Sequence, residues 1–309
     1  MGEVAALANA IIWALTGVVV KGVGKNVRPT HIVAAQVWIG LSFLIVVGFL
    51  FGQINELIHV EPRSALYLAG GALINTAGSL VFWFALTRGT VSTVYPTTQS
   101  IFIIISVFSG WMFLGDAPHL GVIGGAVLII GGVIMLNWEP ASKQPDDLQM
   151  TRVGNVVNSG NSDRIRGRGD YVGIGLAVVT AFLWAGGFLS TVVGLEETPP
   201  VAAATIRNLV PAIMFVFVSI LFPTTRITRV FRGNGIRLTL GAVLFAFSAL
   251  TFVVALDNAP PGVVVVLINT SPMFAVIFAA LLLRERMTRF AMGGIVLSMV
   301  GIFVTLALR

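Results

Sequence analysis

A chain of 309 residues that is 56% hydrophobic and only 10% charged carries less than half the roughly 25% charge of a soluble domain, and water could not hold so much apolar surface in solution. The absence of cysteine excludes a disulfide framework and any thiolate metal site. The net charge of +6 comes with no nucleic-acid recognition motif, and its basic residues sit in short loops between apolar runs, where lysine and arginine set membrane orientation.

Crossing a bilayer takes about 20 mostly apolar residues. Ten stretches qualify: 4–20, 31–51, 65–86, 91–113 and 120–137, then 171–191, 201–222, 236–256, 262–283 and 290–308. Glu3 stands before the first span and Lys21 after it, the reverse of a cleaved leader, so that span reads as a retained helix. Turn formers and charge mark the breaks, as at Glu61-Pro62-Arg63, Gly115-Asp116-Ala117-Pro118, Thr198-Pro199-Pro200 and Asn258-Ala259-Pro260-Pro261. Residues 138–169 are polar and lack a hydrophobic period, which predicts a flexible linker between a first unit at 3–137 and a second at 170–309. Its Arg164-x-Arg166-x-Arg168 run reads first as an orientation signal on a solvated tether, and second as a headgroup or partner contact.

The two units repeat. At an offset of about 170, Trp13-Ala14 falls near Trp184-Ala185, Gly71-Ala72 meets Gly241-Ala242, and Ala85-Leu86 meets Ala255-Leu256. Leu114-Gly115-Asp116 meets Leu283-Arg284-Glu285, and Gly124, Gly125, Leu128 and Gly132 meet Gly293, Gly294, Leu297 and Gly301. Five spans per unit is an odd number, so the second unit enters the bilayer upside-down relative to the first. The predicted fold is an all-α membrane protein of ten transmembrane helices, arranged as two inverted five-helix repeats around a central cavity.

These residues resemble the EamA family of the drug/metabolite transporter superfamily. The resemblance rests on the Trp13 and Trp184 first-helix segments, Lys21, the acidic turns at Asp116 and Glu285, and the Gly-x-x-x-Leu-x-x-x-Gly pattern at 124–132 and 293–301. It covers nearly the whole chain outside the linker. It implies export of amino acids or other small metabolites across the cell membrane, through a cavity lined mainly by the third, fourth, eighth and ninth helices.

Ionisable residues within spans are costly and usually functional. Arg207 is one, followed by Asn208. It reads as an anchor for an anionic group such as a substrate carboxylate, or as a snorkelling side chain paired with Glu196 or Glu197. No Asp or Glu lies in the middle of a span, which favours exchange or facilitated diffusion over carboxylate-driven proton antiport. Polar residues with proline occur in the fourth span (Tyr95, Pro96, Thr97, Thr98, Gln99, Ser100) and the ninth (Asn269, Thr270, Ser271, Pro272). Such interruptions in repeat-related helices point to a transporter's binding site. The register is imperfect, since Pro272 falls opposite Ile103 and not Pro96. The predicted substrate contacts are Asn75, Gln99, Asn269 and Arg207, joined by Gln36 and Tyr95, with Trp13, Trp83 and Trp184 as aromatic walls. The threonines and serines serve equally well as interhelical glue.

Gly121-x-x-x-Gly125 and Gly294-x-x-x-Ser298 read as packing devices within the chain, with a homodimer as the alternative. His31, His59 and His119 sit near helix ends without ligand spacing, so no metal is expected. No Walker loop, nucleophile elbow or dinucleotide turn occurs, so no cofactor is expected either. Sixteen of the nineteen Lys and Arg residues fall in odd-numbered loops. That bias puts those loops in the cytoplasm and both termini outside, whereas the resemblance implies termini inside. Taken together, the chain reads as a secondary transporter for a small metabolite or drug-like solute, working by alternating access as an exporter or exchanger in a plasma or inner membrane. The alternatives are a membrane-embedded enzyme acting on lipid-linked substrates, which would need converging acids, histidines or metal ligands, and a non-transporting membrane partner protein.

Overall fold

Backbone inside a bilayer must satisfy its own polar groups, and every regular element among the described residues is helical. The structure, a computed structural model, describes residues 1–21, 29–88, 91–116, 119–137, 162–221, 235–282 and 287–308. The first unit holds α1 (Gly2–Lys21), α2 (Pro29–Leu50), a short 3-10 turn at Ile54–Leu57, α3 (Pro62–Arg88), α4 (Val91–Leu114) and α5 (Leu120–Leu136). The second holds α6 (Ser162–Leu195), α7 (Pro200–Leu221), α8 (Gly235–Asn258), α9 (Pro261–Ile268), α10 (Ser271–Leu282) and α11 (Arg289–Ala307). Among the described residues, eight stretches are long and apolar enough to cross a membrane, and Ala35–Leu50 and Leu120–Leu136 are shorter apolar helices. This is a multi-pass membrane protein, and its helix set is consistent with ten spans.

Two boundaries differ from expectation. Helix α6 starts at Ser162, inside the stretch read as linker, while 138–161 lie outside the described residues. Its 34 residues rise about 51 Å, well beyond a hydrocarbon core of about 30 Å, so one end projects from the bilayer. The ninth span, expected as one helix over 262–283, is two helices separated at Asn269 and Thr270. The cause is Pro272, which has no N–H and whose ring crowds the carbonyl of residue 268. The interrupted backbone is satisfied locally. The Asn269 side-chain amide donates to the Val265 carbonyl at 2.6 Å, the Thr270 hydroxyl to the Leu267 carbonyl at 2.6 Å, and Met273 N–H to the Thr270 carbonyl at 3.0 Å. Pro96, by contrast, falls early in an unbroken α4, where Thr97 and Thr98 return their hydroxyls to the Thr93 and Val94 carbonyls at 2.7 and 2.9 Å.

The units are stitched together reciprocally: α1 lies against α8 and α6 against α3, while α5 meets α11 and α2 meets α7. Each seam is closest where glycines let backbones touch. A methyl group added at Gly125 would collide with the Thr305 hydroxyl and lie 2.8 Å from the Gly301 carbonyl oxygen, and one at Gly132 would lie 2.8 Å from the Gly294 oxygen. Gly121 and Leu308 are also in contact, through an N–H to carbonyl bond of 3.2 Å, so α5 and α11 run antiparallel. Both glycine motifs read as packing devices are therefore engaged in one seam inside the chain. Between α3 and α6, Gly187 would place a methyl 2.8 Å from the Gly71 oxygen, and Gly194 would place one 3.0 Å from the Ser64 oxygen. Between α1 and α8, Asn9 donates to the Ser248 carbonyl at 2.6 Å and to its hydroxyl at 2.9 Å.

The helix ends bearing even-numbered loops gather at one face. Gly2 touches Ala259, Leu308 touches Gly121, Gly48 touches Val201, and Ser64 touches Gly194. Asp116, placed by Gly115 at φ 69°, accepts the Gly262 N–H at 2.9 Å and so caps α9 from a distant loop.

Gly125→Ala should destabilise the protein by about 1–3 kcal/mol through overpacking. Gly70→Ala, where nothing lies within 4 Å, should be neutral or gain up to about 1 kcal/mol from helix propensity. Thermal unfolding in detergent compares the two.

Candidate functional site

A cavity of about 290 Å³ opens between α1, α4 and α10, lined by Trp13, Ala14, Gly17 and Val18, by Tyr95, and by Ser271, Ala275, Val276 and Ala279. That is the lower end of the size range for small-molecule pockets, about 300–1,000 Å³. Its residues come from the C-terminal half of α1, the start of α4 and the body of α10. The cavity therefore sits toward the ends that carry odd-numbered loops. The opposite half of the interior is shut: Val263 to Leu267 are at most 2% exposed, Phe188 is 3%, Ser106 1% and Thr191 0%.

Of the predicted contacts, Trp13 and Tyr95 face this cavity. Trp13 is 46% exposed and meets Phe245 at a 5.9 Å centroid distance. Tyr95 shares a hydrogen bond with the side chain of Gln99, which is buried one turn behind it. Asn269 is buried and uses its amide on its own helix; the residue that reaches the cavity from that break is Ser271. Asn75 is partly buried in the α3–α6 seam against Gly187. Gln36 is partly buried on α2. The side chain of Trp83 lies outside the described residues.

Trp184 belongs to a different feature, an aromatic column that runs from Tyr95 at the cavity into the closed half. Ring centroids run Tyr95–Phe82 at 5.9 Å, Phe82–Trp184 at 5.1 Å, Trp184–Phe102 at 6.2 Å, Phe102–Phe188 at 6.1 Å and Phe188–Phe252 at 6.2 Å. All fall within the range of favourable ring pairs. The indole N–H of Trp184 is buried without a partner among the described residues. Arg207 ends the column, its guanidinium carbon 4.7 Å from the Phe252 ring centre. The structure thus brings Trp13, Tyr95 and Gln99 together and puts Arg207 at the far end of the column. Reading the residues singly missed the four phenylalanines, because nothing separates them from the other seventeen of the chain's 21. It also missed the Asn9–Ser248 bond.

The family model for the EamA-like transporter family matches residues 1–138 and 171–307, once per unit. The chain belongs to the EamA-like transporter family. Over 305 residues it is 24% identical to an uncharacterised transporter of Archaeoglobus fulgidus, covering 97% of this chain and 96% of that one. It is 28% identical over 144 residues to the uncharacterised transporter YvbV of Bacillus subtilis, covering 47% of each chain. It is 29% identical over 132 residues to a probable amino-acid metabolite efflux pump of Salmonella typhimurium, covering 42% of this chain and 41% of that one. The chain thus spans about half or less of the length of the last two relatives. A solved crystal structure at 16% identity aligns over 100% of this chain and 97% of its own with a TM-score of 0.76, a likeness of fold.

Within this EamA-like protein, Arg207 is partly buried and, among the described residues, has no charge partner. Its Nε is buried without a hydrogen-bond partner, and among the described residues no carboxylate pairs with it. Pro211 one turn later lacks the N–H that would bond the Arg207 carbonyl, loosening α7 at this point. The partner of the Arg207 guanidinium is the face of the Phe252 ring and not a carboxylate. Replacing an unpaired buried charge by an apolar side chain of similar length is usually neutral or stabilising. Arg207→Met should therefore hold or raise the thermal midpoint in detergent, whereas a structural ion pair would show as a loss of several degrees.

Proposed function

We infer that this protein is a secondary transporter that moves a small organic solute across a cell membrane by alternating access between two inverted repeats, as an exporter or exchanger. The observation that carries this reading is the one-sided interior: a cavity beside Trp13 and Tyr95 on the odd-loop side, and an aromatic plug on the even-loop side. A carrier stopped in one of its two states has that form, because the solute must never meet an open path through the membrane.

Inversion is supported by the α5–α11 seam. These are the fifth helices of their units, and they pack antiparallel, Gly121 against Leu308 and Gly132 against Gly294. Reciprocal pairing of α1 with α8 and α6 with α3 fits the same relation. The charge bias makes the odd loops cytoplasmic, so the cavity would be loaded from inside. The name of the Salmonella typhimurium relative, a probable amino-acid metabolite efflux pump, agrees with outward movement of a small metabolite. Tyr95 and Ser271 supply hydroxyls in an otherwise apolar pocket, and Arg207 offers a cation further along the route. A carboxylate-bearing solute would meet complementary charge only after passing the column.

Counterflow into proteoliposomes with a panel of small metabolites tests this reading, and failure to exchange any solute would overturn it. Trp13→Ala should raise the apparent KM by about 10-fold, the equivalent of roughly 1.4 kcal/mol of lost contact. Arg207→Ala should slow exchange of anionic solutes at least as strongly and leave neutral ones unchanged; equal effects on both would remove its role as an anion anchor. Because the chain has no cysteine, Ile58→Cys gives a single exposed thiol in an even loop. An impermeant maleimide should label it on intact cells.

A further inference from the structure

Helix α9 starts without the means to cap itself. Pro260 stands at its N-cap position with no side-chain acceptor and Pro261 follows, so neither has an N–H and Gly262 carries the first amide of the helix. That amide is taken by a residue 146 positions away: the Asp116 carboxylate accepts it at 2.9 Å. The acid is held in place on its own side. Gly115, at φ 69°, turns the chain out of α4, and the Asp116 N–H donates to the Gly110 carbonyl at 3.2 Å, tying the turn to the end of that helix. At Gly262 a methyl group would lie 3.2 Å from the carboxylate oxygen and 3.7 Å from Val122, so the missing side chain leaves the acid room.

Position gives this bond its leverage. Helix α9 belongs to the second unit but packs on α1, α4 and α5 of the first. Its residues Val263 to Leu267, at most 2% exposed, form part of the seal on the even-loop side. The bond therefore runs from the α4–α5 turn of one unit to the sealing helix of the other, at the face where the even-numbered loops gather. A carboxylate on a helix N-terminus gains both from its own charge and from the helix dipole. On the alternating-access reading, on which this inference rests, the units must part at this face for the solute to leave, and the bond must break.

We propose that Asp116 is a positioning residue for transport, a clasp that holds the sealing helix α9 against the first unit while the even-loop side is closed. The closed form has the bond. In the open form the Gly262 amide and the carboxylate each turn to water. The clasp thus sets the balance between the two forms, and weakening it favours opening toward the even loops while leaving the walls of the Trp13 cavity unaltered. A cap needed only by the helix has a local source, an Asp, Ser or Thr at position 260. An acid supplied by the other unit ties capping to closure.

The chain has no cysteine, so single thiols report each side of the full chain in lipid nanodiscs, where a charged methanethiosulfonate reagent reaches both faces. Ser106→Cys, at a position 1% exposed in the sealed half, labels only when the even-loop side opens. Ala275→Cys, in the cavity wall, labels from the odd-loop side. Asp116→Ala should raise the labelling rate of Ser106→Cys by about 2- to 30-fold, the range that loss of a helix N-cap corresponds to, and should not raise that of Ala275→Cys. Asp116→Asn, which keeps an acceptor and loses the charge, should give a smaller rise. The double variant Asp116→Ala with Pro260→Asp caps α9 from within its own unit. It should recover the thermal midpoint and keep the raised Ser106→Cys labelling. Unchanged Ser106→Cys labelling would overturn the clasp. So would a rise at both thiols, which marks general loosening, or a return to wild-type labelling in the double variant, which marks a cap and nothing more. If Asp116→Ala alone does not fold, the double variant carries the comparison. Counterflow by the wild type keeps the two readings apart: exchange with labelling blind to Asp116 removes the clasp alone, whereas no exchange, with Ser106→Cys silent in every variant, removes the carrier reading and the clasp with it.

Discussion

The contact on which the structure depends is backbone against backbone at helix crossings. Lipid tails are as apolar as leucine, so burying side chains against each other gains little in a bilayer, and helices associate through close packing and hydrogen bonds. Here the carbonyl oxygens of Gly125, Gly132 and Gly71 lie where side chains would begin on the facing helix, 2.7 to 3.0 Å away. Such spacing is open only to glycine, and it suits weak Cα–H to oxygen bonds. The two sets of seams then divide the labour. The α5–α11 seam, uniform over 121–132, fixes the units to each other. The α3–α6 and α1–α8 seams lie beside the cavity and the column, where on the alternating-access reading relative movement would change what is open.

Much of this was legible in the sequence, for stated physical reasons. Spans could be read because lipid demands long apolar runs, and the repeat because packing glycines recur at a constant offset. Trp13 and Tyr95, which line the cavity, stood out because an aromatic or polar-plus-proline segment at mid-depth needs an explanation. The break in the ninth span was half visible. Pro272 announced it, but a proline bends or breaks a helix up to a turn before itself, and only the hydrogen bonds of Asn269 and Thr270 put the gap at those residues. Those bonds also explain why Asn269 does not face the cavity: its amide is taken up by the Val265 carbonyl. Arg207 was visible as a buried charge, but its distance from Tyr95 along the column was not, because depth in the membrane says nothing about which side of a closed constriction a residue occupies. Asn9 and Ser248 were invisible for a simpler reason. Each is ordinary alone, and their bond joins helices 239 positions apart.

Repeat symmetry also explains where the symmetry fails. In the register that sets Pro272 opposite Ile103, Ser271 falls opposite Phe102, and the tryptophans they approach, Trp13 and Trp184, are themselves repeat partners. The same architectural position thus carries a small hydroxyl in one unit and a phenyl ring in the other. Ser271 leaves room beside Trp13, and there the cavity forms. Phe102 fills the equivalent space against Trp184 and Phe188, and there the interior is shut. Two-fold architecture with unequal residues at the crossing is what a carrier needs if its two states are to differ in energy.

The inequality has a consequence for the transport cycle. An ideally symmetric inverted repeat would populate its two states equally, since each would be the mirror exchange of the other. Placing Phe102 opposite Ser271 removes that degeneracy. In the observed state the ring is held by Trp184 and Phe188, contacts worth about 0.5–1.5 kcal/mol each beyond simple burial. On the alternating-access reading, an exchanged state would lose those contacts, while closing the Trp13 side would recover only what Ser271, Ala275 and Ala279 can offer against an indole. On that reading the empty protein would rest with its cavity toward the basic loops. A solute that bridged the constriction would supply the missing contact on the other side, so binding itself would lower the cost of the proposed exchange. Selectivity would then reside partly in the constriction: a solute too small or too polar to replace the Phe102 contacts would bind in the cavity without being carried.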